Sequence, residues 1–156
     1  MPTNEIEKQY SELKKKFKLP EFKEIDNEFE LSDLEETNFL LRAIMRRISE
    51  KLDFYSTVLE EVLQPDASNL YAMHETRYFD DEEKNSMYDL YKRLMSCSRH
   101  SIEISIEHNE KDEADFINNF FEEWKPTKAD LLKFIKKMRV SWKTEANIKE
   151  DVGYLG

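Results

Sequence analysis

The sequence predicts an all-α helical bundle, built on a hairpin of two long antiparallel helices with shorter N- and C-terminal helices packed against it. Three observations carry this. The 156 residues include only 2 Gly and 4 Pro, whereas β-hairpins and turn-rich α/β folds depend on glycine. Apolar residues recur at alternating steps of four and three along two long stretches, the period of a helix that keeps one seam on a partner. Charged residues make up 37% of the chain, against ~25% in an ordinary globular domain, which suits helices with solvated outer faces.

The elements follow in order. Thr3 is read as the cap of a first helix carrying Ile6, Tyr10, Leu13 and Phe17 on one side. Leu19-Pro20 ends it, because the residue before proline avoids the helical region. A short helical segment with Phe22, Ile25 and Phe29 comes next. Ser32-Asp33-Leu34-Glu35 has the form of a capping box, in which the serine oxygen takes the N3 amide and the glutamate reaches back. The helix it opens is expected over residues 32–64, about 50 Å at ~1.5 Å per residue. Its seam is Leu34, Leu41, Met45, Ile48, Leu52, Tyr55, Leu59 and Val62, widened by Leu40, Ile44, Phe54 and Val58. Pro65 stops it.

The connection spans residues 65–80, with a helical turn expected at Asn69–Met73. Asp80 or Asp81 caps the second long helix, whose seam is Met87, Leu90, Leu94, Cys97, Ser101 and Ile104. A second stripe runs through Tyr88, Tyr91, Met95, Ile102 and Ile106. After Asn109–Asp112 comes an aromatic face of Phe116, Ile117, Phe120, Phe121 and Trp124, read as core that closes one end of the hairpin. Pro126 marks a break, and Thr127-Lys128-Ala129-Asp130 is a second capping box. It opens a last helix with Leu131, Phe134, Ile135, Met138 and Trp142 on one side. The organisation expected is one helical domain over 1–152, made of N-terminal short helices (1–31), the hairpin (32–109) and C-terminal helices (112–152), with 153–156 a frayed tail.

Function is less legible. The net charge of −10 repels nucleic acid and anionic lipid as a whole. It is unevenly spread. Residues 21–36 carry eight acids and one base, residues 107–123 seven acids and one base, and residues 124–143 seven bases and one acid. The polar N-terminus lacks the basic start and apolar core of a secretory signal. No apolar run approaches a membrane span. The single cysteine, Cys97, forms no internal disulfide and fits a reducing compartment. The expected location is cytoplasmic.

No motif for a nucleotide, cofactor or catalytic nucleophile is present, and none is assigned. Carboxylate-rich bundles hold metal through Glu-x-x-His pairs, but Tyr71, Cys97 and Ser105 stand three residues before His74, His100 and His108. His100, Glu103 and Glu107 do fall on adjacent turns, and could gather with Glu50, Glu60 or Glu61. A solvated helix side is the better explanation of them. Cys97 and the serines around it read as small side chains that let two helices approach.

The basic C-terminal helix is the candidate partner-binding element. Lys128, Lys136, Arg139 and Lys143 group beside its apolar face, and Lys133 and Lys137 extend the charge. The first reading is a non-enzymatic interaction or assembly protein with a protein partner, or another copy of itself. The second is a carboxylate–histidine metal-binding bundle. The third is a nucleic-acid-associated module using residues 125–143, which the net charge opposes.

Overall fold

Helix follows helix, with no strand among the described residues of the computed structural model, which covers residues 2–143. Six α-helices form: α1 (Pro2–Phe17), α2 (Phe22–Phe29), α3 (Leu40–Leu63), α4 (Leu70–Thr76), α5 (Asp81–Glu107) and α6 (Glu110–Ser141), with a 3-10 turn at Leu31–Asp33. The long helices α3 and α5 pack together and form the hairpin of the bundle. Pro2 takes the first position of α1, so Thr3 lies inside that helix. The tail at 153–156 and the end of the last segment lie outside the described residues.

The described residues divide into two compact units, residues 2–52 with 96–125, and residues 53–95 with 126–143. In the first, α1 and α2 pack on each other and on the 3-10 turn. Its core joins Ile6, Tyr10, Ile25 and Phe29 to Leu41, Ile44, Ile48 and Leu52 of α3 and to Phe116, Ile117, Phe120 and Trp124 of α6. Phe29 meets the Phe120 and Trp124 rings at 5.5 and 5.4 Å between centroids. Of the aromatic face read as core, Phe116, Ile117, Phe120 and Trp124 are buried and Phe121 is half-buried. In the second unit, Leu59, Val62, Phe79, Met87, Leu90, Leu94, Leu131, Phe134 and Met138 form the core.

Three expectations need correction. The first long helix begins at Leu40, not Ser32. Asp26 Oδ1 takes both the Ser32 amide and hydroxyl at 2.7 Å, so the serine stays in the turn that follows α2. Glu30, with φ of 55°, ends α2 in the left-handed region. The Thr37 hydroxyl instead accepts from the Phe39 amide just ahead of α3.

Second, Pro126 does not break the C-terminal helix, and the two shorter helices expected there are one, α6, the longest among the described residues. A seam of buried residues, Glu113, Ile117, Phe120, Trp124, Thr127, Leu131, Phe134, Met138 and Ser141, runs along it in an unbroken alternation of four and three, with buried Ala114 and Phe116 beside it. Burial along that seam outweighs the bond to the Glu122 carbonyl that proline cannot make. Thr127 is occupied in the seam, and Asp130 pairs with Arg93 at 2.8 Å, so the second capping box does not form.

Third, one position in each of the α3 and α5 seams moves by one residue. Ser56 replaces Tyr55, and Ser98 replaces Cys97 as the fully buried residue. The displacement is local: Leu59 and Val62 on α3, and Ser101 and Ile104 on α5, stay buried where expected. Phe54, expected to widen the stripe, is 66% exposed, and Tyr88, Ile102 and Ile106 of the second stripe also face solvent. Small residues do draw α3 and α5 together. The Ser101 hydroxyl donates to the Ser98 carbonyl at 2.7 Å, so Ser49 supplies the proton in its contact with Ser101.

Restoring the missing amide should stabilise α6. Pro126→Ala is expected to raise unfolding stability by about 1–3 kcal/mol, read as a higher urea midpoint at unchanged slope. A lower midpoint would show that the proline holds a bend the packing needs.

Candidate functional site

The outward face of the C-terminal half of α6 is where the sequence placed partner binding. Leu131, Phe134 and Met138 bury one side of this stretch. The opposite side carries Leu132, Lys133, Lys136, Arg139 and Val140, all exposed, within about 120° of arc at ~100° per residue. Leu132 and Val140 are 44% and 51% exposed, so cations and uncovered apolar groups alternate. Lys143 follows one turn on, its amide bonded to the Val140 carbonyl.

Not all six basic residues share this setting. Lys137 turns inward to Glu83 and lies over the Phe79 ring. Its bond is the main reason the Glu83 carboxyl sits below the usual carboxylate range, with the Asp80 amide adding to the effect. Glu83 and Asp80 cap α5 reciprocally: the Glu83 amide donates to Asp80 Oδ1 at 2.7 Å and the Asp80 amide to Glu83 Oε1 at 3.1 Å. Lys128 is half-buried. Lys133 also acts on Glu83 electrostatically. Lys136, Arg139 and Lys143 form no ion pair among the described residues.

The metal candidates are not brought together. His100, Glu103 and Glu107 are exposed on α5, and Glu50 and Glu60 are exposed on α3. His100 packs edge-on to Phe116. Glu61 accepts from the Tyr71 hydroxyl at 3.0 Å. Among the described residues no group of three or more His, Cys, Asp or Glu side chains converges. His74 is buried, and its Nε2 donates to the terminal carbonyl of α6, Ser141 O, at 3.1 Å. Burial, with Glu123 nearby, pushes the Cys97 thiol up to about 11, far from a reactive thiolate.

One polar arrangement escaped the sequence reading. Glu113, in the first turn of α6, occupies a seam position, with its side chain only 4% exposed. Arg42 Nε lies 3.3 Å from Glu113 Oε2; both atoms are out of solvent, and neither makes a well-aligned hydrogen bond. Burial raises the Glu113 carboxyl above its ordinary range, while the adjacent Arg42 opposes the rise. The signal was an acid one four-residue step before Ile117, at a core position of the repeat. Comparison of the chain with protein-family models, curated proteins and solved structures finds no significant match.

The raised carboxyl has a pH consequence. Folded Glu113 holds its proton more tightly than unfolded Glu113, whose pKa is near 4.5. Its contribution to stability is present below that value and is lost as pH climbs through the raised one. Unfolding of wild type and Glu113→Gln across pH should therefore show the wild type gaining on the variant as pH falls from about 7 towards the unfolded value. A difference that is flat, or slopes the other way, contradicts the burial effect.

Proposed function

We propose that the chain is a non-enzymatic helical interaction protein that docks an acidic amphipathic segment of a partner protein on the outward face of α6. One observation carries the reading: Lys133, Lys136 and Arg139 stand exposed between exposed Leu132 and Val140. Interleaved charge and apolar surface suits a partner that brings carboxylates and aliphatic groups in alternation. Charges at such a rim steer association, and the apolar contacts hold the complex. Nucleic acid supplies carboxylate-free phosphate and no aliphatic counterpart, and it meets a chain of net charge −10. No described helix is long and apolar enough to cross a membrane, and the reading places the protein in the cytoplasm, where Cys97 stays a thiol.

The test is anisotropy of a labelled, helix-forming peptide of about twenty residues carrying Glu and Leu on one face. Binding should weaken with salt and fall about tenfold or more in the double variant Lys136→Glu, Arg139→Glu. Equal binding by the double variant, or tighter binding of labelled duplex DNA than of peptide, removes the reading.

A further inference from the structure

Arg42 is held in a way its packing role does not require. Its Nε edge faces the buried Glu113 carboxyl, and its guanidinium carbon lies 4.3 Å from the centre of the Phe39 ring. A carboxylate at Nε and a ring against the face fix the guanidinium plane. The two Nη groups have no hydrogen-bond partner among the described residues, and the Arg42 side chain is 31% exposed. A guanidinium so oriented offers its remaining edge to a planar oxyanion, with its rotamer entropy already spent.

The space beside it has two parts. One cleft of about 430 Å³ includes Gln9, Asn38, Glu12 and Glu110. The other, about 420 Å³, includes Met45, Ile102 and Ser105. Arg42 and His108 border both. Volumes of this size accommodate small organic ligands.

The geometry points to a binding site for a monocarboxylate with a short aliphatic tail, its head on the Nη edge of Arg42 and its tail along Met45 and Ile102. The charges around the site choose between ligand classes. An ammonium at the head position meets the guanidinium. A phosphate dianion in the first cleft meets Glu12 and Glu113 as well as Arg42, Glu110 being paired with Lys16, so its second charge is repelled there; Arg46 lines the second cleft, beside the tail. A single planar negative charge matches the fork and suffers least from those acids. His108 adds a ring nitrogen at the junction of the two clefts. The site lies within one unit of the chain and does not depend on the α6 face.

Sodium octanoate is the probe, titrated into the full chain while the Arg42 Nε and Ile102 methyl NMR signals are followed. Saturable shifts of both are expected, with affinity reduced about tenfold in Arg42→Lys, whose ammonium is a point charge without a fork. Ile102→Ser, a change at an exposed position, should weaken octanoate but leave acetate unchanged, and it tests the site if Arg42→Lys fails to fold. Lys136→Glu with Arg139→Glu should leave octanoate binding intact. The inference is overturned if octylammonium or octanol shifts the same signals as strongly as octanoate, or if inorganic phosphate binds more tightly. Absence of saturation, or undiminished binding in both folded single variants, also overturns it.

Discussion

A helix leaves its last four carbonyls without partners, and a glycine in the left-handed region is the commonest way to close such an end. Both glycines of this chain lie at positions 153 and 156, so no helix among the described residues can end on one. Lys18, Glu30 and His108 take positive φ in their place, at a cost glycine would avoid. The remaining carbonyls are met from a distance. Asn118 of α6 donates to Phe17 O at the end of α1, and Arg47 of α3 to Phe29 O and Glu30 O at the end of α2. Thr76 of α4 donates to Val62 O at the end of α3, and His74 to Ser141 O at the end of α6. The ends of α1, α2, α3 and α6 are thus closed by elements that must already be packed in place, so local helix formation and tertiary assembly are tied together.

This dependence explains which parts of the fold could be read from the chain. The fold class and the main seams follow from period alone, because burial of one face dominates helix stability. Capping did not follow from motif alone. Asp80 with Glu83 forms the reciprocal cap, while Ser32 with Glu35 and Thr127 with Asp130 match the same pattern and do not. Ser32 is claimed by Asp26, and Asp130 by Arg93. The deciding competitors stand six and thirty-seven residues away, beyond any local rule. Pro126 misled for a related reason: the phase of the seam from Trp124 to Thr127 to Leu131 runs through it unchanged, and that continuity was the better guide.

The two candidate sites differ in the same sense. The α6 face is a pattern on one helix, so its exposed lysines were visible in sequence. Lys137, drawn to Glu83, and the half-buried Lys128 leave the group for reasons that needed coordinates. The Arg42 site joins the first turns of α3 and α6 to Phe39 and His108, residues that share no local pattern. His108 appeared in sequence only as a failed metal-motif position, although its left-handed backbone ends α5.

Stability alone gives no reason for Glu113. A buried ion pair usually does no better than apolar residues of the same volume, since desolvation offsets the attraction. Here the pair lacks good hydrogen-bond alignment, and burial outweighs Arg42 in setting the carboxyl's proton affinity. A leucine would fit the four-three repeat of α6 with less cost. What an acid does that leucine cannot is hold the Nε edge of a guanidinium and leave the Nη edge free. The energetic penalty is therefore concentrated at the one core position that orients a donor fork towards open space, which is the physical link between an irregularity in the seam and a capacity to bind.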